Sequence, residues 1–270
     1  MDFEVWSHRH ALSIISQDEN LGRRYTEFTN AILSISDQEI KNDFISRRKE
    51  SKSLKSITPS INHLLKERLI AIDGWKDEVD IFNDTTGEIG NTEWRLDFAC
   101  DNAFCVEVAF NHGEAIAWNL LKPVLSCELN HVQKAIQGQI GIYVCATDAL
   151  KDFGNIDSAS GSYEKVLRYL PPMMNQLTVP MVIIGLKPFS SFKICKSTKS
   201  ITANELINIQ DLINRKVIIT KSGTYEKIKG TILSVNPPSE LLPDISVVRL
   251  AKGKKRVTLN ENEIFFLEVE

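Results

Sequence analysis

Between residues 21 and 44 apolar side chains return at mostly three-to-four spacing: Leu21, Tyr25, Phe28, Ile32, Ile35, Ile40 and Phe44. That period predicts amphipathic helix, and the first 50 residues as a whole read as helical. A polar break containing Pro59 follows. In "SINHLLKERLIAIDGW" the apolar Ile61, Leu64, Leu65 and Leu69 then predict another amphipathic helix, stopped near Gly74.

The period changes in the middle of the chain. "WRLDFAC" and "FCVEVAF" are short runs rich in aromatic, aliphatic and β-branched residues, and the turn-like Asp101–Ala103 between them predicts a β-hairpin. A helix is expected over "AIAWNLLKPVLSCELNHVQKAIQ", with Pro123 kinking or breaking it. "IGIYVCAT" and "VPMVIIGLKP" read as buried strands, and the helical "SYEKVLRYLPPMMNQL" between them should stop at Pro171–Pro172. The order β-β-α-β-α-β predicts an α/β (α+β) protein with a mixed β-sheet flanked by helices.

After about Ser200 the texture changes again. "ANELINIQDLINR" predicts a short helix. "KVIITKSG", "YEKIKGTILSVNPPS", "SVVRLA", "KKRVTL" and "EIFFLEV" predict five short strands, with turns at Gly223, Pro237–Pro238 and Gly253. Such regular short strands suggest a small β-barrel of the SH3 or Tudor kind. The expected division is therefore 1–204 and 205–270.

Composition sets bounds on this picture. A chain of 270 residues makes one large domain, or one medium and one small, and 43% hydrophobic with 25% charged residues is ordinary for a globular protein. No apolar run approaches a membrane span and "MDFEVWSHRH" has no signal-peptide core, so a cytoplasmic location is expected, with no membrane partner. No nucleotide cofactor is expected either. Cys100, Cys105, Cys127, Cys145 and Cys195 lack metal-ligand spacing and read as buried free thiols. The net charge of -3 does not announce a nucleic-acid binder. A local basic cleft can coexist with that total, and "RRKESKSLK", Arg47–Lys55, is either part of one or a solvated helix end.

Candidate chemistry lies in the hairpin. Asp97 and Glu107 sit in apolar strand-like runs, and across a hairpin they can converge on one face. Unpaired, they would repel and one would take up a proton. A divalent cation removes that conflict, and so does a salt bridge to Arg95 or a surface lysine. Mg²⁺ suits one or two carboxylates completed by a backbone carbonyl, water or phosphate.

The hairpin also carries a resemblance. "LDF", a turn and "VEVAFN" resemble the active-site hairpin of type II restriction endonucleases related to BglII, BstYI and BamHI, a branch of the PD-(D/E)xK nuclease fold. "INHLLKERLIAIDGW" resembles the helix before that hairpin, the helix after "FNHGEAIAWNLLKP" resembles the dimer-forming helix, and "LTVPMVIIGL" resembles the last core strand. The resemblance implies a PD-(D/E)xK restriction-endonuclease-like core in residues 1–204. It also implies Mg²⁺-dependent hydrolysis of double-stranded DNA, Mn²⁺ substituting, at a short palindrome such as one containing GATC. Asp97 then matches the metal-binding aspartate, Glu107 matches the second acid, and the carbonyl of Val108 completes the inner shell. Glu67 matches an additional acid of some relatives, or is an exposed glutamate beside Lys66 and Arg68.

Ala109 departs from the pattern. The family usually places Gln or Glu there, and the wider fold Lys, to orient the attacking water. Either a neighbour such as Glu114, His112 or Lys122 has taken the role, or metal and phosphate suffice, or the protein binds DNA without cutting it. Asn111 and His112 are the implied base-contacting residues, unless "FNHGE" is only a turn and helix cap; Glu114 and Lys122 are further DNA-facing candidates. The polar loop Asp152–Ser162 is a second candidate or a plain connector. Symmetric cleavage of a palindrome implies a homodimer, for which Trp118, Leu121, Leu125 and Leu129 offer an apolar stripe, unless they pack inside the monomer. The C-terminal strands, with the basic "AKGKKRV", would add phosphate affinity, read modified DNA, or stabilise the dimer.

Overall fold

Continuous apolar runs such as "IGIYVCA" and "MVIIGL" have to be covered on both faces, and they form the centre of a six-stranded sheet. The computed structural model describes residues 1–83, 94–128, 133–236 and 246–270, so Leu129 and Pro237–Pro238 lie outside the described residues. Two compact units make up the chain, Met1–Pro188 and Phe189–Glu270.

The sheet of the first unit contains β1 (Phe3–His8), β2 (Trp75–Asp80), β3 (Arg95–Cys100), β4 (Phe104–Ala109), β5 (Ile140–Ala146) and β6 (Met181–Leu186). Their order is β1-β6-β5-β4-β3-β2. The pairs β4–β5 and β5–β6 are parallel, and the others antiparallel. The helices are α1 (Ala11–Gln17), α2 (Glu19–Leu33), α3 (Asp37–Glu50), α4 (Thr58–Ile70), α5 (Ile116–Cys127), α6 (Asp148–Phe153) and α7 (Tyr163–Tyr169). Asp18 caps α2 through the N–H of Leu21, and Ser36 with Glu39 forms a capping box on α3.

Helices cover both faces. On one, Ile116, Leu120 and Val124 of α5 pack with Tyr143, Cys145 and Ile183 from the sheet. On the other, Phe28 of α2 rests on Trp75 with ring centres 5.4 Å apart, and Trp75 stacks on Phe104 at 6.3 Å. A mixed sheet between helices is therefore the fold of this unit.

Several elements differ from the expectation, three of them at the sheet or against it. The N-terminal residues are not helical throughout: Phe3–His8 is an edge strand antiparallel to β6, because its aromatic and β-branched residues serve a sheet edge that needs a partner. "WKDEVD" forms β2 on the opposite edge, where exposure tolerates charges that hide a strand from an apolar pattern. Helix α5 stops at Cys127, and Gln133–Gln139 is not helical. Pro123 lies inside α5 and neither ends it nor faces solvent; it sits over Gly141 of β5, where an added Cβ would come within 2.8 Å of its ring.

The second unit opens with the hairpin β7 (Phe192–Ile194) and β8 (Ile201–Ala203) and a 3₁₀ segment at Glu205–Leu212. An antiparallel sheet follows, made of β9 (Lys216–Lys221), β10 (Lys227–Asn236), β11 (Val247–Lys252), β12 (Lys255–Asn260) and β13 (Ile264–Val269), in the order β12-β11-β10-β9-β13. Val217, Ile219, Ile232, Val248, Leu250 and Leu267 form its core. Among the described residues no helix is long and apolar enough to cross a membrane, and no two cysteines are bonded. Cys100, Cys105 and Cys145 are buried, while Cys127 and Cys195 are partly exposed.

Candidate active site

The hairpin of β3 and β4 pairs Cys100 with Phe104, Ala99 with Cys105 and Phe98 with Val106. Continuing that register sets Asp97 opposite Glu107, but the ladder ends one step short. Instead, Oδ2 of Asp97 accepts a hydrogen bond from the backbone N–H of Val108 at 2.6 Å. An extended residue sends its N–H and C=O to the same side, so the Val108 carbonyl leaves β4 toward Asp97 as well.

Alternation puts Cys105, Glu107 and Ala109 on the face covered by α5, and the parallel partner of Glu107 on β5 is Tyr143. Glu107 is buried at 4% exposure. Its Oε1 accepts from Nζ of Lys122 on α5 at 2.7 Å, whereas its Oε2 is buried without a hydrogen-bond partner. Asn119, one turn earlier on the same helix, donates to Oδ1 of Asn111 at 2.9 Å.

Burial pushes the Glu107 carboxyl up to about 8, the charge of Asp97 adds to this, and Lys122 opposes it. Burial also raises Asp97, against the Val108 N–H and the charge of Lys122. Glu78 raises both. It interrupts β2 at the step that would face Asp97, with a left-handed φ of 49°, and its carboxylate lies 3.5 Å from Arg95. Such a backbone is costly for a non-glycine residue.

A buried carboxylate with an orphaned oxygen, a half-buried carboxylate and a carbonyl on the same side fit the donor set of a hard divalent cation. Among the described residues no group of three His, Cys, Asp or Glu side chains is close enough to hold a metal by itself. A cation bound here would complete its shell with the Val108 carbonyl, water and phosphate. Bound, it would lower the pKa of a water and offset charge on a phosphorane.

The other sequence candidates divide between this site and a nearby loop. Glu67 lies on α4, 51% exposed, with Oε1 3.6 Å from Nε2 of His63. Asn111, His112 and Glu114 are exposed beyond the end of β4 and zipped to the 152–162 loop. The N–H of Gly113 donates to Ala159, that of Gly161 donates to Asn111, and His112 bridges Ser160. The same loop reaches the basic segment, through Ile57 N–H to Gly154 and Asn155 Nδ2 to the Lys55 carbonyl at 2.5 Å. Lys122 does not join this loop; it faces Glu107. Of the apolar stripe, Leu121 and Leu125 pack inward, and Trp118 is 44% exposed with its ring against Trp94 at 4.7 Å. Sequence reasoning missed Glu78, and only its place in an unrecognised edge strand marks it.

The sequence model of the family described as Restriction endonuclease BglII/BglIII matches residues 3–186, more than half of the chain. Among solved structures, the chain is similar to the crystal structure of restriction endonuclease BglII complexed with a DNA 16-mer. The TM-score is 0.51 at 14% identity, over 96% of this chain and 100% of that one. The crystal structure of free BglII follows, with a TM-score of 0.42 at 14% identity over 87% of this chain and 96% of that one. None of the curated proteins compared matches the chain. The structural likeness speaks to the fold, and the match over residues 3–186 speaks to descent: the chain belongs to the BglII/BglIII restriction endonuclease family.

Proposed function

We propose that this protein is a type II restriction endonuclease that hydrolyses phosphodiester bonds of double-stranded DNA at a short palindrome, using a divalent cation held by Asp97, Glu107 and the Val108 carbonyl. The carrying observation is the buried Oε2 of Glu107, which has no partner although Asp97 stands beside it. A carboxylate pair of this kind is costly to retain without a cation. Mg²⁺ is the fitting ion and Mn²⁺ its substitute. The resemblance makes a GATC-containing palindrome the first substrate to try.

The residues of the chain have separable roles. Asp97 is fixed by the Val108 N–H through one carboxylate oxygen, and its other oxygen would meet the cation. Asn111 and His112, braced on the 152–162 loop, would meet base edges in the major groove. Lys and Arg side chains of the 47–55 segment, tied to the same loop, would meet phosphates. Two-fold cleavage requires a homodimer, and exposed Trp118 supports a contact through α5. We read the catalytic PD-(D/E)xK-type domain, expected over 1–204, as the first unit, Met1–Pro188, and the strands of 205–270 as an SH3-like or Tudor-like accessory barrel that shares the second unit with the β7–β8 hairpin. Its β11–β12 hairpin carries exposed Lys252, Lys254, Lys255 and Arg256.

Plasmid digestion with Mg²⁺ or Mn²⁺, comparing wild type with Asp97→Ala, tests the reading. Discrete fragments from wild type alone are expected. Equal background from both would reduce the protein to a DNA binder, the reading that Ala109 favours, and gel shifts in Ca²⁺ would then detect binding without cleavage. Cleavage confined to modified DNA would make the barrel its reader.

A further inference from the structure

We propose that Lys122 orients the attacking water, supplying from α5 the polar group that strand position 109 lacks. This rests on the reading of Asp97 and Glu107 as the cleavage site. A water attacking phosphorus beside that pair needs a hydrogen-bond partner that fixes its lone pair. Ala109 shares the face of Glu107 but offers none, and its side chain is buried with Ile116 and Leu120. Two of the neighbours that the sequence put forward equally are elsewhere. Glu114 is 91% exposed and His112 is 59% exposed, and they face each other on the loop.

Lys122 is in place. Its side chain is only 16% exposed, and its ammonium lies 2.7 Å from Oε1 of Glu107. An ammonium has three N–H donors, and Glu107 uses one. The others can meet the lone pair of a water and a phosphate oxygen, two partners that a short strand side chain would have to serve from position 109. Having no lone pair, Lys122 takes no proton. The water oxygen bonds to phosphorus as the bond to the leaving ester oxygen breaks, and the proton lost by the water is balanced, through solvent, by the one the displaced alkoxide takes up.

The position is structurally prepared. Pro123 seats α5 on Gly141, and Asn119 ties it to Asn111 just beyond β4, so Lys122 reaches the sheet between two fixed points of its helix. Asp97, Glu107 and Lys122 therefore arrive from three separate elements with the ammonium on one oxygen of Glu107 and the other oxygen left for a cation.

Lys122→Met in the full-length protein keeps the stem and removes the charge. Cleavage with Mg²⁺ is expected to fall by about 10²-fold or more, the usual cost of removing a positioned donor. DNA affinity in Ca²⁺, followed by fluorescence anisotropy, should stay within about threefold. Ca²⁺ affinity, followed by calorimetry, should stay equal or rise, because a like charge has left the site. Lys122→Arg, which returns a cationic donor to the same helix position, should recover at least about tenfold in rate over Lys122→Met. Cleavage by Lys122→Met within about threefold of wild type overturns the proposal while leaving the nuclease reading intact. Loss of Ca²⁺ and DNA binding together with cleavage, or no recovery with Lys122→Arg, also overturns it and assigns Lys122 to holding Glu107 in place. Wild type without cleavage on any substrate overturns both.

Discussion

The carboxylate of Asp97 is hydrogen-bonded to the backbone N–H of Val108, so one acid of the pair is oriented by the residue that follows the other. Asp97→Asn can keep that contact through its amide oxygen while removing the charge that raises Glu107. Cleavage should fall by about 10²-fold or more, because a cation loses its aspartate. Stability in EDTA should hold or rise by about 1 kcal/mol, because the repulsion has gone. Parallel cleavage assays and urea titrations check the opposed directions.

Glu107 gives the stability of the cation-free protein a pH dependence of definite sign. Its folded pKa of about 8 exceeds the unfolded value of 4.5, so the folded state binds more protons between these limits. Stability from this group is fully present below about 4.5, declines as pH rises, and is lost above about 8, a change on the order of a few kcal/mol at most. Glu107→Gln should flatten that decline in urea titrations from pH 5 to 9 in EDTA. Added Mg²⁺ should oppose it in wild type, and cleavage should rise with pH through about 8 as the cation competes with one proton fewer.

Gly141→Ala tests the seat of α5. The new Cβ would meet Pro123 at 2.8 Å and Met181 at 3.1 Å, so the helix has to move. Overpacking of this kind costs about 1–3 kcal/mol. The displacement carries Lys122 away from Glu107, so cleavage should fall by more than the small change in folded fraction explains. Thermal melts and cleavage rates on the same preparation separate the two effects.

The basic hairpin of the second unit makes an electrostatic prediction. If Lys252, Lys254 and Lys255 meet phosphates, changing all three to Gln should lower the slope of log affinity against log salt by about 2–3, with specificity retained. Anisotropy titrations at several NaCl concentrations, in Ca²⁺, read that slope directly. An unchanged slope would place the hairpin off the DNA.

What the sequence made legible follows from how strongly each local pattern is driven. The hairpin, β5, β6 and the five C-terminal strands were readable because apolar runs and turn residues mark them without outside help. The strand at Phe3–His8 was not, since its identity comes from a partner nearly 180 residues away, Met181–Leu186. β2 was hidden by the charges its edge position allows. Asp97 and Glu107 could be chosen from charge in an apolar setting. Lys122 could only be one of several neighbours, because the contact depends on how α5 is seated by Pro123 and Gly141. Glu67 was put forward by its place on the helix before the hairpin, whereas Glu78, on the strand after that helix, could be marked only once β2 was seen to pair with β3.

The unfinished ladder between β3 and β4 also bears on any attempt to make this protein more robust. A sheet that stayed zipped past Phe98 and Val106 would gain backbone hydrogen bonds of about 1 kcal/mol each. It would also close the seam through which Asp97 grips Val108 and through which the Val108 carbonyl faces outward. Thermostable versions should therefore be sought in the helices and in the second unit, because here the stronger sheet would be the poorer enzyme.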